Sequence, residues 1–140
     1  REYLDTEAGR HAKDTYKCRN RRPWYVVPDV KVPDAFLSYM SGRSPALVAN
    51  NVRCACTNSV HAVRFLPGTE IADIQAAWAT SFCQLSCEIE GHPLGGGMLK
   101  LEPGEAANVR VPLGGLSLSK VDATTLDEAV VEARRWRHYA

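Results

Sequence analysis

The sequence predicts an α+β fold, in which a short-stranded mixed or antiparallel sheet packs on one central helix and a further helix lies at the C-terminus. Three observations lead to this prediction. Short aromatic and β-branched runs fill the first half, the apolar period becomes helical after Pro67-Gly68, and the last residues carry a helix-start signal. With 140 residues the chain is long enough for one domain with its own core. We expect a lead-in segment (1–14), a core (15–115) and a C-terminal extension with its helix (116–140).

The predicted strands lie in the first half of the chain. They are short aromatic and β-branched runs bounded by prolines or polar residues. Their ranges are 24–27, 35–40, 46–50, 52–56 and 61–66. "SGRSP" at 41–45 predicts a turn, because glycine and proline interrupt it.

The central helix is predicted from apolar residues at helical spacing. They are Ile71, Ile74, Trp78, Phe82, Leu85 and Ile89. Thr69 is a suitable N-cap, and Gly91 is a suitable end.

The last third is predicted to contain two further helices. A glycine turn enters a short strand, residues 102–107 predict a short helix, and residues 109–113 predict a strand. A final helix is expected at 125–138, with Thr125-x-x-Glu128 as a capping box. Arg134, Arg135 and Arg137 would then complement the negative end of its dipole.

The composition excludes several classes of protein. No apolar run approaches the roughly 18 residues of a membrane span. The chain begins with neither Met nor a basic-then-apolar leader, so we expect it to be a piece of a longer polypeptide. Five cysteines, an odd number without a secretory signal, predict free thiols in a reducing cytoplasm. Their spacing does not match the paired pattern of a zinc site, so no metal is expected.

Charge is distributed unevenly along the chain. Residues 10–64 contain ten Lys and Arg against three Asp, whereas residues 65–140 contain six bases and ten acids. The densest basic cluster lies in "YKCRNRRPWYVVP" at 16–28, where the nearest acids in sequence are Asp14 and Asp29. A basic half joined to an acidic half is typical of a polyanion-binding face, although a solvated charged surface is the alternative.

Four blocks of the sequence together resemble a known family. They are "YKCRNRRPWYVVP", "PDAFLSYMSGRSP", "CTNSVHAVRF" and "EIEGHPLGGGMLKLEPGEAANVRVP". Over residues 15–115 they resemble, in order, the C-terminal target-recognition domain of bacterial N6-adenine-specific DNA methyltransferases from restriction–modification systems (TaqI/Eco57I-like). The resemblance implies a module that grips double-stranded DNA in the cytoplasm, while an upstream catalytic domain holds S-adenosylmethionine and flips the adenine.

The catalytic parts of that family are missing from this sequence. It contains no Asn-Pro-Pro-Tyr/Phe motif, and Gly95-Gly96-Gly97 precedes a strand without the G-x-G pattern of a cofactor loop. We therefore expect no catalytic residue, no cofactor and no activity in this chain alone. The parent enzyme would be the site-specific adenine methyltransferase.

Several residues are candidates for contact with DNA. Lys17, Arg19, Arg21 and Arg22 would track phosphates or reach a guanine, and Trp24 would either stack on nucleic acid or anchor the core. Further candidates are Arg43 and Ser44 on the turn, Asn58 and His61 at a strand start, and Gly95, Gly96 and Gly97, whose N–H groups could approach phosphate. For the basic run the alternative is a solvated strand entry, for Trp24 it is the core position that the flanking Pro23 favours, and for the turn and glycine-loop residues it is a plain turn or bend.

Two other functions remain open from the sequence. The domain could be a docking surface for a restriction or modification subunit, with the basic half facing an acidic partner. It could also be a thiol enzyme, with Cys54 or Cys56 as the nucleophile and His61 or His92 as the base, although no spacing requires this.

Overall fold

The computed structural model describes residues 2–28 and 30–139 and confirms an α+β fold. It forms two compact units, unit 1 (Arg1–Lys31) and unit 2 (Val32–Ala140). Unit 1 is helical and irregular, whereas unit 2 contains all the strands of the described residues. The division into lead-in, core and C-terminal extension stays a prediction.

The described residues of unit 1 form three short helices, α1 (Glu2–Asp5), α2 (Glu7–Lys13) and α3 (Tyr16–Arg19). The hydroxyl of Thr6 accepts a 3.1 Å hydrogen bond from the Gly9 N–H and caps α2.

The predicted strand at 24–27 is wrong. Trp24 and Tyr25 form a turn, and residues 26 and 27 have no strand partner. Pro23 and Pro28, on either side, lack the N–H that a strand ladder needs, which explains why the β-branched run stays unpaired.

Unit 2 contains two three-stranded antiparallel sheets. The first has the order β3-β1-β4, with β1 (Ala35–Ser38) between β3 (Leu47–Ala49) and β4 (Val60–Val63). The second has the order β2-β6-β5, with β6 (Met98–Lys100) between β2 (Met40–Ser41) and β5 (His92–Leu94). The predicted run 35–40 is thus divided between two sheets, and β1 alternates buried and half-buried residues as a one-sided strand should.

The predicted strand at 52–56 is also wrong. The side chain of Asn50, which is buried, accepts a hydrogen bond from the Cys54 N–H and donates one to the Cys54 carbonyl. Because these backbone groups are already satisfied, they are not free to pair with a neighbouring strand.

The central helical segment is confirmed, but it is interrupted. It consists of α4 (Ile71–Trp78), whose N-cap is Glu70 instead of Thr69, and α5 (Ser81–Glu90), which ends at Gly91 as predicted. Thr80 causes the break, since its hydroxyl accepts from the Cys83 N–H and starts a second helix.

The two later helices agree with the prediction to different extents. The short helix α6 (Pro103–Asn108) lies where expected and starts with a Glu102–Glu105 capping box. The last helix, α7 (Lys120–Tyr139), begins five residues before Thr125, so the predicted cap is wrong. Thr125 lies inside the helix and donates to the Val121 carbonyl, whereas the Ser119 hydroxyl accepts from the Asp122 N–H at the true start.

The core of unit 2 lies between α5 and β6. Its buried cluster contains Cys83, Cys87, Leu99, Leu101 and Val109. The strand predicted at 109–113 is wrong, since this segment is irregular and the Arg110 N–H donates to the Ser86 hydroxyl instead of to a strand.

Among the residues that the structure describes, no helix has both the length and the apolar content to cross a membrane.

Candidate nucleic-acid interface

Unit 1 contains an open basic cleft of about 360 Å³. We call it the basic cleft; its lining residues are Lys13, Asp14, Cys18, Arg19, Arg21, Arg22, Pro23 and Trp24. The end of α3 and the bends at 21–23 place the three arginines around one space. Four cations therefore surround one carboxylate, which makes the cleft electropositive.

These cations are available to an external anion. Lys13, Arg19 and Arg22 are exposed and Arg21 is half-buried. None of the four makes an ion pair with another residue that the structure describes. Lys17, on α3, is exposed but does not line the cleft.

Trp24 lies at the edge of the basic cleft and is half-buried. Its ring meets that of Tyr25 edge to face, with centroids 5.6 Å apart. The indole is therefore held in place by one aromatic neighbour while part of its surface stays accessible. Trp24 is therefore better placed to contact a ligand than to anchor the core.

In unit 2, Arg137 on α7 holds together two of the predicted loops. Its guanidinium donates to the carbonyls of Gly42 at 3.2 Å and Arg43 at 2.5 Å, and to that of Gly97. The turn that carries Arg43 and the glycine loop therefore meet at one buried side chain. The backbone of Arg43 is fixed in this way, while Arg43 itself is exposed.

The three glycines of the loop differ in their surroundings. Gly95 and Gly96 are exposed, and a Cβ on either would meet nothing within 4 Å. Gly97 is buried with φ of +74°, and a Cβ there would collide with the His138 ring. Only the first two glycines thus present backbone to the outside.

Ser44 belongs to the same network. Its hydroxyl accepts a hydrogen bond of 2.5 Å from Arg134, and it lies 3.5 Å from the side-chain oxygen of Gln84. The side chain of Ser44 is thus occupied inside the protein.

Asn58 and His61 are placed differently from each other. Asn58 is exposed on the irregular segment before β4, where its side-chain oxygen accepts from the Thr57 hydroxyl. His61 is half-buried, with Nε2 2.7 Å from the Leu101 carbonyl and its ring against Tyr39. Asn58 is accessible to a ligand, whereas one nitrogen of His61 is already engaged.

A polar network lies beside His61. The Tyr39 hydroxyl donates to Glu102 Oε2 at 2.6 Å, and Lys100 forms an ion pair with the other oxygen of Glu102. The Lys100 ammonium, and then the Tyr39 hydroxyl, lower the pKa of Glu102, while Glu102 raises the pKa of Lys100. Both shifts favour the charged forms of Lys100 and Glu102, so the ion pair is maintained at neutral pH.

The thiols and imidazoles do not form a catalytic pair. His92 Nδ1 pairs with Glu105 at 2.8 Å, and Cys54 lies against Asn50. No hydrogen bond in the described ranges 2–28 and 30–139 joins a cysteine to a histidine. The same residues contain no group of three or more metal-ligating side chains. This geometry does not support a thiol enzyme.

Two features of the site escaped sequence reasoning. The first is that Lys13 lines the basic cleft, because α2 brings it beside α3. The second is that Arg134 and Arg137 pair with Glu88 instead of only complementing a helix dipole. The spacing of three between these two arginines, on one helical face, is the sequence signal for a shared partner.

One protein family matches the chain over nearly its whole length. Residues 1–139 match the family described as "Type II methyltransferase M.Eco57I, C-terminal domain". The chain belongs to this family. The match includes unit 1 with its basic cleft and unit 2 through α7, so both candidate DNA-facing regions of this methyltransferase C-terminal domain lie within it. No curated protein and no solved structure matched the chain.

Proposed function

We propose that this domain binds double-stranded DNA and positions its target site so that an upstream catalytic domain can methylate adenine N6. The family supports a role in methylation, and the basic cleft is the observation that carries the proposal. Duplex DNA is a dense line of phosphates, and Lys and Arg that displace its condensed counterions supply most non-specific affinity. Four cations without a protein ion pair in the described residues are suited to that task.

The two units would have different roles. Arg19, Arg21 and Arg22 in unit 1 would contact phosphates, whereas Arg43 on its turn is our candidate for reading a base edge. An arginine can donate two hydrogen bonds to guanine O6 and N7, and this pairing depends on accurate placement. The exposed backbone at Gly95 and Gly96 can approach a phosphate closely because no side chain intervenes.

S-adenosylmethionine would belong to the upstream catalytic domain. The glycine loop Gly95–Gly97 connects the antiparallel strands β5 and β6, instead of a strand and the N-terminus of a helix. It therefore does not fit a nucleotide cradle. We assign no step of methyl transfer to this chain. A bacterial cytoplasm is the compartment that this function implies.

Duplex binding is measured by fluorescence anisotropy across a series of salt concentrations. The wild-type chain should bind less tightly as salt rises. The triple variant R19A/R21A/R22A should bind more weakly to all sequences. Its slope of log K against log salt should be smaller by about one for each phosphate that the variant no longer neutralises.

Arg135→Ala is the matched control. Arg135 is an exposed arginine on α7, outside the basic cleft, paired only with Glu132 in the described ranges. Its removal should leave the slope unchanged. Equal affinity and slope in the triple variant and the wild type would reject the basic cleft as a DNA site.

A second candidate function is docking to another protein segment. An apolar groove of about 460 Å³ lies in unit 2, lined by β1, β4, α4 and α6, with Leu66 79% exposed at its edge. We propose the catalytic domain as its partner, in preference to a separate restriction subunit, because the family describes a C-terminal domain. Leu66→Glu should weaken association with a separately produced catalytic domain without lowering the Tm of this chain. Unchanged association would reject the groove as the docking site of the catalytic domain.

A further inference from the structure

Arg137 and Glu88 form a buried ion pair between α7 and α5. Arg137 Nε lies 2.8 Å from Glu88 Oε2, and Nη2 lies 3.1 Å from Oε1. The two side chains are only 4% and 3% exposed. Burying a charge pair requires compensation for lost hydration, so such a pair needs further hydrogen bonds to persist.

Those further hydrogen bonds go to two exposed loops. A guanidinium has five N–H donors. In Arg137, Nε and one Nη2 proton serve Glu88, the other Nη2 proton serves the Arg43 carbonyl, and Nη1 serves the carbonyls of Gly42 and Gly97. Every donor is therefore used, and three of the acceptors belong to the backbone of the turn or of the glycine loop.

The fork geometry of arginine is needed for this arrangement. Lysine carries its three N–H donors on a single nitrogen, so it cannot reach all the acceptors that the planar guanidinium of arginine reaches. A point charge at position 137 would still neutralise Glu88, but it would not hold the carbonyls of Arg43 and Gly97 at a fixed separation.

We propose that Arg137 is a positioning residue for DNA recognition. By holding the carbonyls of Gly42, Arg43 and Gly97, it fixes the position of Arg43 relative to the glycine loop. Arg43 contacts a base edge from this fixed position. This inference rests on the proposed function and assigns discrimination between sequences to a residue that does not touch DNA. Charge neutralisation of phosphates, which supplies general affinity, would depend on the basic cleft and not on Arg137.

The test uses Arg137→Lys, Arg43→Ala and the double variant. The probes are a duplex enriched from a randomised library by the wild-type chain and a scrambled duplex of the same composition. R43A should lower the preference for the enriched duplex about tenfold, as removal of a bidentate base contact does. R137K should lower it by a similar factor without changing the salt slope.

The double variant separates positioning from ordinary stability. If Arg137 acts through Arg43, R43A/R137K should discriminate no worse than R43A, so the two effects will not add. Hydrogen exchange provides a readout without DNA: in R137K the amides at 42–44 and 95–97 should exchange faster, while those of α4 keep their protection. Arg135→Lys, on the same helix, should change none of these quantities.

Several outcomes would overturn the inference. Additive effects in the double variant, equal weakening on both duplexes, or unchanged exchange in both loops would make Arg137 a stabilising residue only. If R137K does not fold by circular dichroism, Glu88→Asp replaces it in the same cycle, because it keeps both charges and withdraws the carboxylate by one methylene. Wild-type chain that binds no duplex would instead reject the proposed function, and the positioning role with it.

Discussion

The side chain of Asn50 engages both backbone polar groups of Cys54, donating to its carbonyl at 2.8 Å and accepting from its N–H at 3.0 Å. It also donates to the Pro33 carbonyl at 2.8 Å. One buried amide thus connects the start of β1 to the irregular segment that carries Asn58. The side chain of Asn50, and not pairing with a neighbouring strand, therefore fixes the conformation of this segment.

We expect Asn50→Ala to destabilise unit 2. It removes three hydrogen bonds and leaves the buried Pro33 carbonyl without this partner, which costs about 1–3 kcal/mol. Urea denaturation followed by circular dichroism measures the change in stability. Asn51→Ala, at the exposed neighbouring position, should stay within about 0.5 kcal/mol of the wild type. Equal stability of the two variants would contradict this role of Asn50.

Trp24→Ala should weaken duplex binding in a way that differs from removal of an arginine. Contact with an indole is not a counterion effect, so affinity should fall while the slope against log salt stays the same. Anisotropy titrations at several salt concentrations measure both quantities. Trp136→Ala is the control, because Trp136 is 73% exposed on α7 and outside the basic cleft. If both variants bind like the wild type, Trp24 has no role in the interface.

Glu102→Gln should change how stability depends on pH. The pKa of Glu102 is lowered by Lys100 and Tyr39, so its ionised form stabilises the folded state. That contribution is present above the ordinary Glu value of about 4.3 and disappears as pH falls through the lower folded value. The Tm of the wild type should therefore drop more steeply below about pH 4.3 than that of E102Q. Glu128→Gln, an exposed change on α7, should keep the wild-type profile.

The five thiols should react at very different rates with a thiol reagent. Cys54 is exposed, whereas Cys83 and Cys87 are 0% and 1% exposed. Donation of the Cys87 S–H to the Cys83 sulfur, together with burial, raises the pKa of the Cys87 thiol, so little thiolate forms near neutral pH. Cys54→Ala should remove the fast phase, and Cys83 and Cys87 should react only in denaturant. Rapid labelling of Cys87 in the native chain would contradict the core packing.

The 140-residue chain should neither bind S-adenosylmethionine nor methylate DNA. It lacks the Asn-Pro-Pro-Tyr/Phe motif, and its glycine loop joins two strands. Titration calorimetry with S-adenosylmethionine checks binding, and transfer of a labelled methyl group to duplex DNA checks activity. Micromolar binding would show that part of the cofactor site lies within these residues.

Local patterns predict the elements in which one periodicity dominates. The helical spacing of Ile71, Ile74 and Trp78 identifies α4, and the short aromatic-containing run at 35–40 identifies β1. Prediction fails where a single side chain competes with the backbone pattern. Thr80 divides the central helix by capping α5, and Asn50 removes the strand expected at 52–56.

The candidate site is predictable only in part, because its two regions depend on different information. The cluster of Arg19, Arg21 and Arg22 is visible as closely spaced charge, and the structure places all three in one cleft. The link from Arg137 to Arg43 spans most of unit 2 in sequence, and no periodicity connects such distant positions. Only the packing of α7 against α5 reveals it.

The glycine loop has a consequence for redesign of this domain. Because Gly97 faces the His138 ring at a positive φ, any side chain there must displace that ring and would strain the backbone. Gly95 has open space at its Cβ position and no positive φ, so it can accept a side chain without strain. A library of residues at position 95 would therefore add new functional groups to the glycine loop while leaving the Arg137 network intact, and under the proposed function this makes Gly95 the natural starting point for altering the target sequence.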